Sequence, residues 1–270
     1  MPTFKLTLAY DGTDFTGWQR QPGKRTLQGE LEAAMKRITL QDVKCVGSGR
    51  TDSGVHALGQ VVSFVCDTRL DGPALAKGIN SELPEDMLVF EVEPAPPGFH
   101  AIRDAIRKRY RYVIQDGRLP DLFDRKYVWH VYRRLDVEAM QAAALSLLGT
   151  HDFISYQTAG SSRIETTRTV YDLTVERRQS ELTDRVVIEV EADGFLYNMV
   201  RNFAGTLVAV GKGNQSIAWP GEVIALKDRR AAGMTAPAQG LYLVHVEYPP
   251  FSDWKDHAAN SPDDPVDEQQ

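Results

Sequence analysis

Apolar and polar positions alternate through Phe4-Lys5-Leu6-Thr7-Leu8-Ala9-Tyr10 and stop at Asp11-Gly12, the pattern of a strand running into a turn. Leu27, Leu31, Ala34, Met35 and Ile38 then fall on one face at helical spacing, behind Thr26 as N-cap and with Glu30 in the first turn. Strands are predicted at Val43 to Val46 and Gln60 to Val65, separated by a segment with four glycines. A short helix over Asp71 to Ile79 and a strand over Met87 to Val92 follow, leading into Pro94, Pro96, Pro97 and Gly98, which read as a linker. Beyond it the order returns. A strand is predicted at Lys108 to Gln115, a helix at Val137 to Leu148, and strands at Thr169 to Arg177 and Val186 to Glu191. An apolar helix from about Leu196 to Val210, a helix from Pro220 to Leu226 and a strand at Leu241 to Glu247 complete the chain. The order is βαββαβ twice, with one extra helix in the second half. It predicts an α+β fold of two ferredoxin-like halves, each an antiparallel sheet with helices on one face. The division places one α+β domain at residues 1–102, a second at 103–251 and a tail at 252–270.

Composition narrows the class. With 270 residues, 42% apolar and 25% charged, the chain has the balance of a globular protein, which excludes disorder throughout, collagen and a small disulfide scaffold. No stretch approaches the roughly 18 apolar residues of a membrane helix, and Met1-Pro2-Thr3-Phe4-Lys5 runs into a strand without a signal-peptide apolar region, so the expectation is cytoplasmic. Cys45 and Cys66 sit in apolar strand-like segments and read as two buried, reduced thiols. The net charge of −6 is uneven: from Ser252 to Gln270 six acids face only Lys255, which leaves −5 in the tail and −1 in the body. The tail reads as a disordered solubilising end. Arg103, Arg107, Lys108, Arg109 and Arg111 crowd into nine residues beside Tyr110 and Tyr112. A basic stripe with interleaved aromatics is a footprint for nucleic acid or a solvated strand face, and the segment alone leaves both open. Such sheets can pair edge to edge or face a central cleft between the halves, and their helix-free face commonly supports RNA.

The segment Gly47-Ser48-Gly49-Arg50-Thr51-Asp52-Ser53-Gly54-Val55-His56 holds more special-conformation residues than a hairpin needs. It can be a flexible loop with an Asx-turn at Asp52. A phosphate-binding loop fails, because Val55-His56 stands where Lys-Ser/Thr should be and a strand follows instead of a helix. The third reading is an aspartate held in a rigid loop beside Arg50, with glycines that let a substrate backbone come close.

Gly49-Arg50-Thr51-Asp52-Ser53-Gly54-Val55-His56-Ala57, followed by Gly59-Gln60-Val61, resembles the signature loop of the tRNA pseudouridine synthase A family. The resemblance extends to Tyr10-Asp11-Gly12, Gly17-Trp18-Gln19-Arg20, Phe99-His100-Ala101-Arg103, Lys108-Arg109-Tyr110-Arg111-Tyr112, Asn198-Met199-Val200-Arg201-Asn202 and Gly240-Leu241-Tyr242-Leu243. Ser53 stands where alanine is expected, and the resemblance does not extend to the acidic tail after Phe251. The resemblance implies isomerisation of uridine to pseudouridine at positions 38, 39 and 40 of the tRNA anticodon stem-loop. It implies no metal and no nucleotide cofactor, no membrane, and a homodimer with one tRNA in each of two clefts.

The same resemblance assigns roles. Asp52 is the carboxylate that either adds to uracil C6 or takes a proton from the ribose. A carboxylate in a closed pocket needs a cation to stay ionised. Arg201, out of place on the apolar run Phe195 to Phe203 unless paired or snorkelling to the surface, matches the family's basic position. Tyr110 matches the active-site tyrosine against the flipped uracil, with Tyr112 on the same strand face a weaker candidate; a strand tyrosine is otherwise core packing. Arg50 is suited to filling the gap left by the extruded nucleotide or holding its phosphate. Arg20, Arg103, Arg107, Lys108 and Arg109 are expected to face phosphates in part. His56 reads as a loop hydrogen-bonder. Two other classes stand beside an RNA-modifying isomerase: a tandem RNA-recognition-like binder, whose characteristic strand motif is missing, and a phosphate-loop enzyme.

Overall fold

The computed structural model describes residues 1–160, 165–179 and 183–254, so most of the acidic tail lies outside the described residues. The protein is α+β, with five α-helices and ten strands among the described residues. It divides into two compact units, Met1–Ile106 with the chain from Val244 onward, and Arg107–Leu243. None of the described helices is long and apolar enough to cross a membrane.

In the first unit, β1 (Thr3–Tyr10) pairs antiparallel with both β3 (His56–Val65) and β4 (Met87–Ala95), and β2 (Val46–Gly47) pairs with β3, giving the order β4-β1-β3-β2. Between them run α1 (Leu27–Thr39) and α2 (Gly72–Glu82). Thr26 caps α1 by accepting the Gly29 amide, and Asp71 caps α2 by accepting the Ala74 amide, with Pro73 in the first turn. Leu6, Leu8, Leu27, Leu31, Val62, Leu75 and Ile79 form a core closed to water. Cys45 and Cys66 are buried free thiols.

Three expectations change here. The strand predicted at Val43 to Val46 shrinks to Val46–Gly47, because side chains of α1 take the Cys45 backbone: Glu32 accepts its amide at 3.1 Å and Gln28 donates to its carbonyl at 3.0 Å. The next strand begins four residues early, at His56, which shortens the glycine-rich loop. The strand predicted to end at Val92 continues through Pro94 to Ala95; β4 is an edge strand, where a missing amide is tolerated.

In the second unit, β5 (Arg107–Asp116), β9 (Arg185–Ala192), β8 (Thr167–Arg178) and β7 (Gly149–Asp152) are successive antiparallel neighbours. The short β6 (Trp129–Val131) runs parallel to β5, and β10 (Leu241–Glu247), whose first three residues belong to this unit, is the other neighbour of β5. Neither β6 nor β7 is predicted from the pattern; three and four residues are too few to show a period. The helix predicted to Leu148 is α3 (Val137–Ala144) followed by a 3₁₀ turn at Leu145–Leu147. The apolar helix is α4 (Met199–Gly211), three residues shorter at its start because Asn198 adopts a left-handed backbone with φ 61°. α5 (Trp219–Leu226) follows. Phe153, Tyr156 and Phe203 meet edge to face with centroids 4.8–6.2 Å apart in the core under α4.

Candidate active site

The Asp52 loop lies in the first unit and is held at nearly every residue. Ser48 donates through Oγ to Gln60 Oε1 at 2.6 Å, and Gln60 Nε2 donates to the Gly49 carbonyl at 2.9 Å. The buried hydroxyls of Tyr10 and Thr51 are 2.8 Å apart. The Trp18 amide donates to the Thr51 carbonyl at 2.9 Å, and the Val55 amide to the Asp52 carbonyl at 3.1 Å. Ser53 donates through Oγ to the Phe15 carbonyl at 2.9 Å, so its hydroxyl ties the loop to its neighbour. His56, buried, accepts the Gly12 amide at Nδ1 at 3.1 Å.

The neighbouring segment, Asp11 to Trp18, is shaped to receive this loop. A side chain at Gly12 would place its Cβ 1.9 Å from the Val55 carbonyl oxygen, and one at Gly17 would lie 2.8 Å from that of Thr51. Gly17 and Gly54 have positive φ, 78° and 80°. Two backbones thus meet without side chains between them where Gly12 and Gly17 pass the aspartate loop. Burial pushes the Tyr10 hydroxyl well above its ordinary range, against smaller opposing hydrogen bonds with Thr51 and Gln60, so it stays protonated.

Of the other expected residues in this unit, Arg50 is exposed on the loop itself. Arg20 is exposed and lies 3.4 Å from Glu32. Arg103 donates to buried Asp104 at 2.9 Å and to the Gly98 carbonyl at 2.7 Å, which braces the turn after the proline stretch.

In the second unit, the alternation of β5 separates the basic strand into two faces. Tyr112 enters the core: its ring lies where a Gly240 side chain would clash, and its hydroxyl donates to the Pro237 carbonyl at 2.7 Å. Tyr110, 9% exposed, meets Phe195 edge to face at 5.0 Å. On the opposite face, Arg107, Arg109 and Arg111 stand across from acids brought by the register Arg109↔Glu191 and Arg111↔Glu189. Arg109 bridges Glu191 at 3.0 Å, Asp172 at 3.2 Å and Glu189 at 3.4 Å. Arg107 bridges Glu191 at 3.2 Å and covers the Tyr171 ring at 4.5 Å, while Arg111 and Arg178 both reach Glu189. Burial alone would raise the Glu189 carboxyl, but Arg111 and Arg178 outweigh it and hold it below the usual range. The basic stripe of the sequence is therefore largely matched by carboxylates in the fold. Lys108 is on the Tyr110 face, half-buried.

Arg201, on the first turn of α4, does not reach for open water. Its Nε donates to the Ala236 carbonyl and its Nη1 to Asn198 Oδ1, both at 2.7 Å. Among the polar residues that the sequence motifs contain without assigning a role, Gln60, Tyr10, Thr51 and Asn198 do most to fix the geometry of the candidate residues.

The molecule is thus an α+β protein with a preorganised carboxylate loop and a backbone-anchored guanidinium. A family model described as tRNA pseudouridine synthase matches residues 7–102 and 143–249, and the chain belongs to that family. The matched segments contain Asp52 and Arg201, and Tyr110 falls between them. The chain is 45% identical over 250 residues to tRNA pseudouridine synthase A of Moorella thermoacetica, covering 92% of this chain and all of that protein. It is 43% identical over 248 residues to the protein of that name from Thermoanaerobacter sp. strain X514, again over 92% of this chain and all of the relative. The Limosilactobacillus fermentum protein of the same name is 43% identical over 267 residues, 98% of this chain and all of its own length.

Proposed function

We propose that this chain isomerises uridine to pseudouridine in tRNA, at positions 38, 39 and 40 of the anticodon stem-loop. The observation that carries the reading is the Gly49-Arg50-Thr51-Asp52 loop, rigidly seated, in a chain 43% and 45% identical over 92% of its length to the Thermoanaerobacter and Moorella proteins named tRNA pseudouridine synthase A. The reaction breaks the bond from uracil N1 to C1′, turns the base, joins C5 to C1′, loses the C5 proton to solvent and leaves N1 carrying a proton. Substrate and product are isomers, so the balance calls for no redox partner and no nucleotide. Asp52 either adds to uracil C6 or removes a ribose proton, and Arg201 keeps it ionised. Tyr110 lies against the flipped base and assists loss of the C5 proton. Arg50 fills the place the nucleotide vacates or holds its phosphate.

Arg20 and Lys108 take phosphates in this reading. Arg103, Arg107 and Arg109, expected from sequence to share in this, are engaged by carboxylates instead. The strand order β4-β1-β3-β2, repeated as β10-β5-β9-β8, supports reading each unit as a ferredoxin-like βαββαβ sandwich. A cytoplasmic homodimer belongs to the same proposal and rests on the family resemblance. The test is purified protein on a tRNA transcript with uridines at 38, 39 and 40, mapped by carbodiimide adducts that stop reverse transcription. Pseudouridine at these positions is expected; its absence from all three overturns the reading.

A further inference from the structure

The chain begins three of its helices in one way and α4 in another. Thr26, Asp71 and Asp136 are extended, and each accepts an amide of its own helix, from Gly29, Ala74 and Ala139. Asn198 is as good a cap by residue type, yet its backbone is left-handed at φ 61° and ψ 9° and its side chain accepts no amide of the helix. The carboxamide oxygen takes Nη1 of Arg201 instead, at 2.7 Å. Glycine would adopt this backbone more easily, so local structure alone gives no reason for asparagine.

The second point that holds Arg201 is also built. Arg201 and Ala236 exchange two bonds: the Ala236 amide donates to the Arg201 carbonyl at 3.1 Å, and Arg201 Nε donates to the Ala236 carbonyl at 2.7 Å. The stretch before Ala236 is fixed on α4 by fully buried Asn202, whose Oδ1 accepts from Thr235 Oγ1 at 2.7 Å and Arg229 Nη2 at 2.8 Å. A side chain at Gly205 would stand 1.8 Å from the Met234 carbonyl oxygen, so the stretch lies directly on the helix backbone. Acceptors on Nε and on Nη1 fix both the plane and the rotation of a planar guanidinium.

We propose that Asn198 is a positioning residue that sets the orientation of the Arg201 guanidinium during uridine isomerisation. The proposal rests on the reading above, in which Arg201 serves the reaction. It departs from helix capping because the asparagine oxygen is spent on a functional side chain three residues on, at the expense of its own helix.

The test is steady-state and single-turnover kinetics of Asn198→Gly, which keeps the left-handed backbone and removes only the acceptor. It lowers kcat about 10- to 100-fold, the scale of one hydrogen bond to a charged group, with KM for tRNA and Tm near the parent, and it moves the acid limb of the kcat profile upward. The loss disappears in an Arg201→Lys background, since an ammonium cannot take the two-point hold. Parental kcat in Asn198→Gly, or a loss that persists with Arg201→Lys, overturns the positioning role. Those results leave the Arg201 assignment standing as long as Arg201→Ala is inactive. Parental turnover in Arg201→Ala removes the assignment itself, and the proposal with it.

Discussion

The hydroxyls of Tyr10 and Thr51 meet at 2.8 Å, both buried, at the residue just before Asp52. Tyr10 closes β1, so the contact ties the chemistry-bearing loop to the frame of the sheet. Tyr10→Phe keeps the ring beside Trp18, 6.3 Å away, and leaves the Thr51 hydroxyl without this partner. The expected loss is about 1–2 kcal/mol of stability and several-fold in kcat, with KM for tRNA unchanged. Thr51→Val added to it costs little more, because the bond is already gone. Thermal melts and single-turnover rates check this; additive losses in the double variant contradict it.

Tyr110 separates stacking from proton transfer. Stacking is worth about 1–3 kcal/mol per base and needs only the ring, so Tyr110→Phe retains tRNA binding and cleavage at C1′. Loss of a general acid–base group slows the later C5 step by about 10²–10⁴. Tyr110→Ala loses both terms and is worse than Phe. Parental C5 hydrogen release in the Phe variant confines Tyr110 to stacking, and a fully active Ala variant removes it from the site.

The carboxylate bridges on β5 make the basic residues separable by salt. Each true phosphate contact contributes somewhat under one to the log-log slope of affinity against salt. Ala at Arg20, Arg50 or Lys108 is expected to flatten the slope by that amount. Arg109→Ala, which frees Glu189, Glu191 and Asp172 of a shared partner, is expected to lower Tm and leave the slope unchanged. A slope that flattens equally for Arg109→Ala makes it a phosphate contact after all.

Asp116 carries a pH dependence of stability. Burial would raise its carboxyl, but the two-pronged bond from Arg177 at 2.8 and 2.9 Å, the Leu135 amide and the charges of Arg177 and Arg134 hold it below the usual range. A depressed carboxylate stabilises the fold fully above its unfolded value of about 3.9 and loses that contribution as the pH falls through the folded value. Asp116→Asn is expected to cost about 2 kcal/mol at pH 7, Arg177 keeping some access to water. Urea unfolding checks the expectation that the gap to the parent narrows below about pH 4; a gap constant down to pH 3 contradicts it.

What could be read from sequence was what a single segment encodes. Thr26 with the apolar face of Leu27 to Ile38 specified α1, and the glycines around Asp52 announced a loop with a purpose. Pairing was not legible. The Cys45 backbone satisfies itself on Gln28 and Glu32, more than a turn of chain away, so a plausible strand did not form. The stripe Arg107 to Arg111 read as open charge because Glu189 and Glu191 reach it only through the β5–β9 register. Gln60 looked like one more polar residue in a strand, and only burial shows that its amide holds Ser48 and Gly49.

The central claim is that Asp52 performs the isomerisation. Asp52→Asn preserves size and removes the ionised carboxylate, and the loop's pins at Ser48, Thr51, Ser53 and His56 do not depend on its charge. The measurement is release of C5 tritium from a tRNA transcript labelled in uridine, in single turnover with enzyme in excess, beside the tRNA affinity of the same preparation. The account predicts no release above background with Kd near that of the parent; release within tenfold of the parental rate contradicts it.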